Sequence, residues 1–156
     1  VSRIKTLIRL NFVEPYYNII APEVYNYVVT IHGITMLFFF LMPILICGFG
    51  NYLLPVLLGI MDLNLPRLNA LCAWLILPAS ISLSISMFLG TGVGWTFYPP
   101  LSSGDYSTGH GVDFLLFSLH LAGISSIFSS LNFICTIYSS VNDWTASRQS
   151  IIIWSY

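Results

Sequence analysis

The chain has 156 residues, of which 56% are hydrophobic, 15% aromatic and only 7% charged, with a formal net charge of -1. A water-soluble domain of this length covers its surface with roughly 25% charged residues, so this composition excludes a soluble globular protein and describes an integral membrane protein whose exterior faces hydrocarbon. No basic cluster with interleaved aromatics is present to follow a phosphate backbone, which excludes nucleic acid as a partner.

In chain order, Val1–Leu10 (VSRIKTLIRL) reads as the closing turns of a helix, about 1–12, ended by Glu14-Pro15 and Pro22. Three stretches, 24–57, 69–91 and 112–140, are each long enough to span about 30 Å of hydrocarbon at about 1.5 Å per residue. The expected fold class is therefore all-α, a polytopic transmembrane helical bundle. The first stretch contains Pro43 and Gly48-Phe49-Gly50, which predicts a tilted or kinked helix with close backbone contact near both glycines. Residues 150–156 (SIIIWSY) open a further apolar run. With no initiator methionine and no signal peptide, the chain is expected to be part of a longer one.

Loop charge predicts orientation. Arg67 lies in the 58–68 connection and Arg148 in 141–149, whereas Gly90–Gly111 has no lysine or arginine. The first two loops are thus expected on the cytoplasmic or matrix side. The opposite loop holds GVGWTFYPP, with Trp95, Phe97 and Tyr98 suited to an interfacial aromatic belt. Cys47, Cys72 and Cys135 have no paired spacing and read as small buried hydrophobes.

Several polar residues in these stretches need a reason to be there. His32 lies inside YVVTIHGITMLFFFLMPILI, with Met36, Phe39, Pro43 and Gly50 on roughly its face by helical spacing. Lipid offers an imidazole no partner, so His32 is either a neutral residue hydrogen-bonded to a neighbouring helix or an axial metal ligand. Asp62 is either a surface acid paired with Arg67 or the mouth of a proton-uptake file. Such a file needs hydrogen-bonding groups through the hydrocarbon, and Asn51, Asn69, Ser125, Ser126 and Asn132 are available. Spacing alone favours Ser125, Ser126, Ser129 and Ser130 as small helix-packing residues. Arg9 snorkels to the interface or meets a polar cofactor group, and Trp95 is a belt residue or an indole N–H donor to an anionic group. His120 reads as a packed core histidine and His110 as a loop residue.

Four segments, IHGITMLFFFLMPILICGFGNYLLP, MDLNLPRLNALCAW, GVGWTFYPPLSS and FSLHLAGISSIFSSLNFICT, occur in an order that resembles the subunit I family of mitochondrial cytochrome c oxidases, a branch of the haem-copper oxidases. The resemblance covers nearly the whole chain and implies part of a twelve-helix fold, from the end of helix I (1–12) through helices II (24–57), III (69–91) and IV (112–140) to the start of helix V (150–156). It implies that His32 is one axial ligand of haem a, that Arg9 meets the haem formyl group, and that Trp95 stands beside the haem propionates. It further implies that Asp62 is the entrance of a proton pathway continued by Asn51, Asn69, Ser125, Ser126 and Asn132. The second haem a and the copper would be held by helices beyond this sequence. The implied setting is the mitochondrial inner membrane, with subunits II and III, cytochrome c and dioxygen as partners of the complete enzyme and lipid around it.

This sequence departs from the family at three places. Asn11 stands where a carboxylate contributes to a peripheral calcium or sodium site, Cys72 where a serine offers a hydroxyl, and Cys47 where a glycine is usual. Two rival readings share some of these residues: a quinol oxidase of the same superfamily, and a non-haem helical transporter with a buried histidine.

Overall fold

The computed structural model describes residues 2–13, 19–140 and 149–156. Glu14, Pro15 and Arg148, on which part of the sequence reading rests, lie outside them. The described residues form helices and no strands: α1 (Ser2–Leu10), α2 (Pro22–Ile34), α3 (Asn51–Leu58), α4 (Pro66–Leu89), α5 (Gly111–Ser139) and α6 (Ile151–Ser155). α2 runs without a break into α3 through two π-helical stretches, Thr35–Leu41 and Pro43–Gly50. Three helical runs, Pro22–Leu58, Pro66–Leu89 and Gly111–Ser139, are long and apolar enough to cross a membrane.

Prolines and glycines set these ends. Pro22 and Pro66 occupy the first turns of α2 and α4, where a missing N–H costs no helical hydrogen bond, so both helices begin ahead of the hydrophobic onsets at 24 and 69. α3 and α4 end at Gly59 (φ 68°) and Gly90 (φ 75°), left-handed caps that glycine adopts without strain. The left-handed cap at Gly90 therefore ends the helix short of residue 91.

The expected kink at Pro43 takes the form of a widened helix. Proline has no N–H to give the carbonyl four residues back, and its ring pushes that carbonyl, on Phe39, aside. The chain relieves the clash by π-type bonding, with the Met42 N–H reaching the Leu37 carbonyl five residues back. Each residue then turns through a smaller angle than in an α-helix, so the face extrapolated from His32 to Gly50 does not continue straight along the run.

The two glycines flanking Phe49 differ. A Cβ on Gly50 would lie 2.7 Å from the Phe133 ring and 3.1 Å from that of Tyr156, so this backbone abuts α5 and α6. Gly48 is exposed, and a Cβ there would meet only the Pro43 carbonyl at an ordinary 3.9 Å, so the close contact expected there is absent.

Packing is strongest between α4 and α5. One buried cluster, Ile34, Leu83 and Leu115, joins α2, α4 and α5. A second, Leu54, Leu63, Phe133 and Ile153, joins α3, the α3–α4 loop, α5 and α6 at the other end. The remaining surface is apolar, with Phe88 92% exposed and Trp74 and Ile81 largely so. Such a surface is stable against acyl chains or further protein, not against water.

Candidate functional site

The helices hold two groups of polar residues, one at each end of α4. The first is built on α2 and the α4–α5 loop. Thr30, 1% exposed, donates its hydroxyl to the Asn26 carbonyl at 2.7 Å and accepts the Gly94 N–H at 3.0 Å. This fastens the loop to α2 so that the Trp95 side chain packs on Gly33, whose missing Cβ would stand 3.3 Å from Trp95 Cβ and Cγ. A methyl there would be a tight contact that the indole could meet only by shifting a few tenths of an ångström. Next to Gly33 is His32, whose Nδ1 is buried with no hydrogen-bond partner among the described residues.

An orphaned imidazole nitrogen in an apolar helix costs about 1–3 kcal/mol, so something outside this chain's described residues must satisfy the ring. A buried water, a metal centre or an acceptor on another segment would do so. His32 supplies one donor, and the described residues contain no cluster of three or more metal-binding side chains. His32 is therefore a single donor, and a metal or cofactor held here would need its remaining ligands from residues outside the described ones.

Arg9, in the last turn of α1, is exposed, in keeping with a snorkelling guanidinium or one reaching a group outside the chain. Trp95 is 48% exposed and has no bonded partner for its indole N–H among the described residues. Asn11 is buried, and its Oδ1 accepts the Ile20 N–H at 3.1 Å, which closes the connection from α1 to α2.

The second group is at the opposite end. Asp62 is exposed in the α3–α4 loop and its Oδ1 accepts the Leu63 N–H at 2.7 Å. No ion pair joins it to Arg67, and the pairing of those residues weighed from the sequence is absent. Instead α5 holds the loop: Asn132 Oδ1 accepts the Leu65 N–H and Thr136 Oγ1 accepts the Asn64 N–H, each at 3.1 Å. Deeper in, Asn51 Nδ2 donates to Asn69 Oδ1 at 3.1 Å and to the Cys47 carbonyl at 2.7 Å.

Two buried amide atoms in this group, Asn51 Oδ1 and Asn132 Nδ2, have no partner among the described residues. Buried amides are normally satisfied by protein or ordered water, so each marks a place where water belongs. Further along, Ser125 donates to the Cys72 carbonyl at 2.8 Å, and a cavity of about 20 Å³ is bordered by Pro43, Cys47, Ile76, Ser125 and Ser126. About 10–15 Å³ suffices for one water. The asparagine pair, Asn132 and the two serines thus lie along one polar track leading inward from the Asp62 loop.

Other residues fall differently from their sequence reading. His120 is exposed, not packed in the core, and its Nδ1 lies 2.8 Å from the Leu116 carbonyl of its own helix. Spacing placed it on α5 but could not tell which way that helix faces. His110 is a loop residue at the head of α5, paired with Asp113 at 3.1 Å. Cys72 is buried and Cys47 half-buried, but Cys135 is exposed on α5. Sequence reasoning missed Thr30, Thr136 and the place of Ser129. The last two share a face with Ser125 and Asn132 at spacings of four, three and four, which is the signal that could have found them.

Residues 5–156 match the family described as Cytochrome C and Quinol oxidase polypeptide I. The chain is 42% identical over 153 residues to cytochrome c oxidase subunit 1 of Pecten maximus, which covers 96% of this chain and 32% of that protein. It is 44% identical over 136 residues to the Eremothecium gossypii protein of the same name, covering 85% of this chain and 25% of the other. Against the Candida albicans protein, also cytochrome c oxidase subunit 1, identity is 46% over 116 residues, 73% of this chain and 22% of the other. The chain spans about a third or less of the length of these curated relatives.

Proposed function

The chain belongs to the cytochrome c and quinol oxidase polypeptide I family, and from that membership and the geometry above we propose that it forms the part of a cytochrome c oxidase subunit I that supplies one haem a ligand and a proton-uptake path. The complete enzyme would pass electrons from cytochrome c to dioxygen, form water and pump protons across the mitochondrial inner membrane, in complex with subunits II and III. The copper and the second haem would be held by residues outside this chain. When bound, haem a supplies a one-electron relay whose potential depends on its ligands and on the polarity around it.

The chain's own residues have distinct tasks. His32 would hold iron through its imidazole, from within an apolar helical stretch. Trp95, set on Gly33 by the Thr30–Gly94 bond, would offer its indole N–H to the haem propionates, and Arg9 would offer its guanidinium to the formyl group. Asp62 collects protons at the surface of the positively charged loop side, facing the matrix. Asn51, Asn69 and Asn132 order water behind it, and Ser125 and Ser126 extend that water inward. The peripheral calcium or sodium site of the family is weakened here, since Asn11 brings no charge and its oxygen is engaged by Ile20.

The observation that carries this reading is the buried, unpartnered Nδ1 of His32 beside a loop pinned to the same helix. A quinol oxidase would share these residues and lack a copper-bearing partner subunit. In the full-length subunit within its complex, His32→Ala is expected to abolish the low-spin haem spectrum, and Asp62→Asn to slow proton uptake while leaving both haems in place. An unchanged low-spin spectrum would overturn the ligand assignment, and unchanged turnover and pumping would overturn the role of Asp62.

A further inference from the structure

Hydroxyls within the spanning helices mostly bond back to their own helix: Ser82 to the Pro78 carbonyl, Ser84 to that of Ser80, Ser118 to Leu115, Ser130 to Ile127 and Thr136 to Asn132. That arrangement satisfies a hydroxyl in hydrocarbon without outside help. Ser129 is different. It is 2% exposed, and among the described residues its hydroxyl makes no bond to its own helix and has Cys47 Sγ on the facing helix as its hydrogen-bond contact, 4.0 Å away. A thiol at that distance is a weak partner, so the hydroxyl keeps most of its bonding capacity unused.

Its position gives that capacity a use. One turn toward the Asp62 loop on α5 is Asn132, 0% exposed, with its Nδ2 unpaired. One turn the other way is Ser125, at the rim of the small cavity it shares with Ser126 and Cys47. Cys47 joins the two halves: its carbonyl takes the Asn51 Nδ2 hydrogen, while its thiol faces Ser129 and the cavity. The rest of the cavity wall is apolar, formed by residues such as Pro43 and Ile76.

We propose that the Ser129 hydroxyl, set against Cys47, is the hydrogen-bonding step that connects the asparagine-lined outer part of the proton path to the serine-lined inner part. This rests on the reading of Asp62 as the mouth of that path. The hydroxyl accepts a proton on one lone pair from water ordered by the Asn132 and Asn51 amides and releases its own proton to water in the cavity. No charge accumulates, and rotation about the Cβ–Oγ bond restores the starting state. Ser129 is a positioning and relay residue, not a ligand of any metal.

The test uses the full-length subunit in its membrane complex, reconstituted in vesicles, with turnover, proton uptake and the solvent deuterium isotope effect measured across a range of pH. The haem spectrum reports assembly. Ser129→Ala is expected to slow uptake about tenfold, shift the pH profile and raise the isotope effect, and Ser129→Thr to restore all three. Cys47→Val, which fills similar space without a polar atom, is expected to act in the same direction, so it decides the matter if Ser129→Ala does not assemble. If Asp62→Asn slows uptake while Ser129→Ala and Cys47→Val do not, the relay is refuted and the proton path stands. If none of these changes has an effect, the path itself is refuted. A merely packing serine would show loss of stability in Ser129→Ala with an unmoved isotope effect, and that result also overturns the proposal.

Discussion

Thr30 shows how much a single hydroxyl organises. Its oxygen is donor to Asn26 and acceptor from Gly94 at once, and it is the direct bond between α2 and the backbone next to Trp95. Thr30→Val keeps the branched shape and removes both bonds, leaving the half-buried Gly94 N–H without its partner at a cost of up to about 1–3 kcal/mol. We expect faster amide hydrogen exchange over residues 92–97 in the purified complex, with exchange in α4 unchanged. Equal exchange in the two proteins would show that another contact holds the loop. Polar residues of this kind are only partly legible from sequence. His32 and Asp62 stand out because a titratable group amid apolar residues is expensive. Ser129 and Ser130 look alike as letters, and only the orientation of α5 buries the first and exposes the second. The same ignorance of helix rotation makes His120 and Cys135 read as buried.

At the scale of elements, the long α2–α3 run combines one feature that a hydropathy pattern reveals and one that it conceals. Length and apolarity show a membrane span, but TMLFFFLMPILI has no polar side from which to read a period, so the π-helical turns are invisible until the Pro43 ring is placed against the Phe39 carbonyl. The turns rotate Gly50 inward against Phe133 and leave Gly48 outward. Alanine at either position gains about 1 kcal/mol of helix propensity over glycine. At Gly50 its methyl must displace two aromatic rings, an overpacking cost of about 1–3 kcal/mol that outweighs the gain. Gly50→Ala is therefore expected to lower the melting temperature of the solubilised protein, and Gly48→Ala to leave it equal or higher. The reverse order would mean that the run is rotated about its axis relative to α5.

For the molecule as a whole, the polar groups and the apolar surface divide the work. The interior face of α5 carries serine, asparagine and threonine, while outward positions carry Phe117, Ile127, Ile134 and Tyr138. The chain thus turns inside out the pattern of a soluble bundle, because its solvent is hydrocarbon and polar groups must find partners within. α4 alone separates the Asp62 loop from the Trp95 loop, and it crosses once, so the two loops must open on opposite faces of the membrane. Met61 is fully exposed in the first loop and Gly104 lies in an exposed turn of the second. In sealed vesicles of one orientation, a membrane-impermeant thiol reagent should label Met61→Cys from one side only and Gly104→Cys from the other only. The native cysteines stay unlabelled because they lie in spanning helices. The face carrying Arg67 should be the one that retains positive charge, so Met61→Cys should react from the side proposed to face the matrix. Labelling of both positions from one face would require α4 to re-enter the membrane surface instead of spanning it, and would separate Asp62 from the compartment whose protons it is proposed to collect.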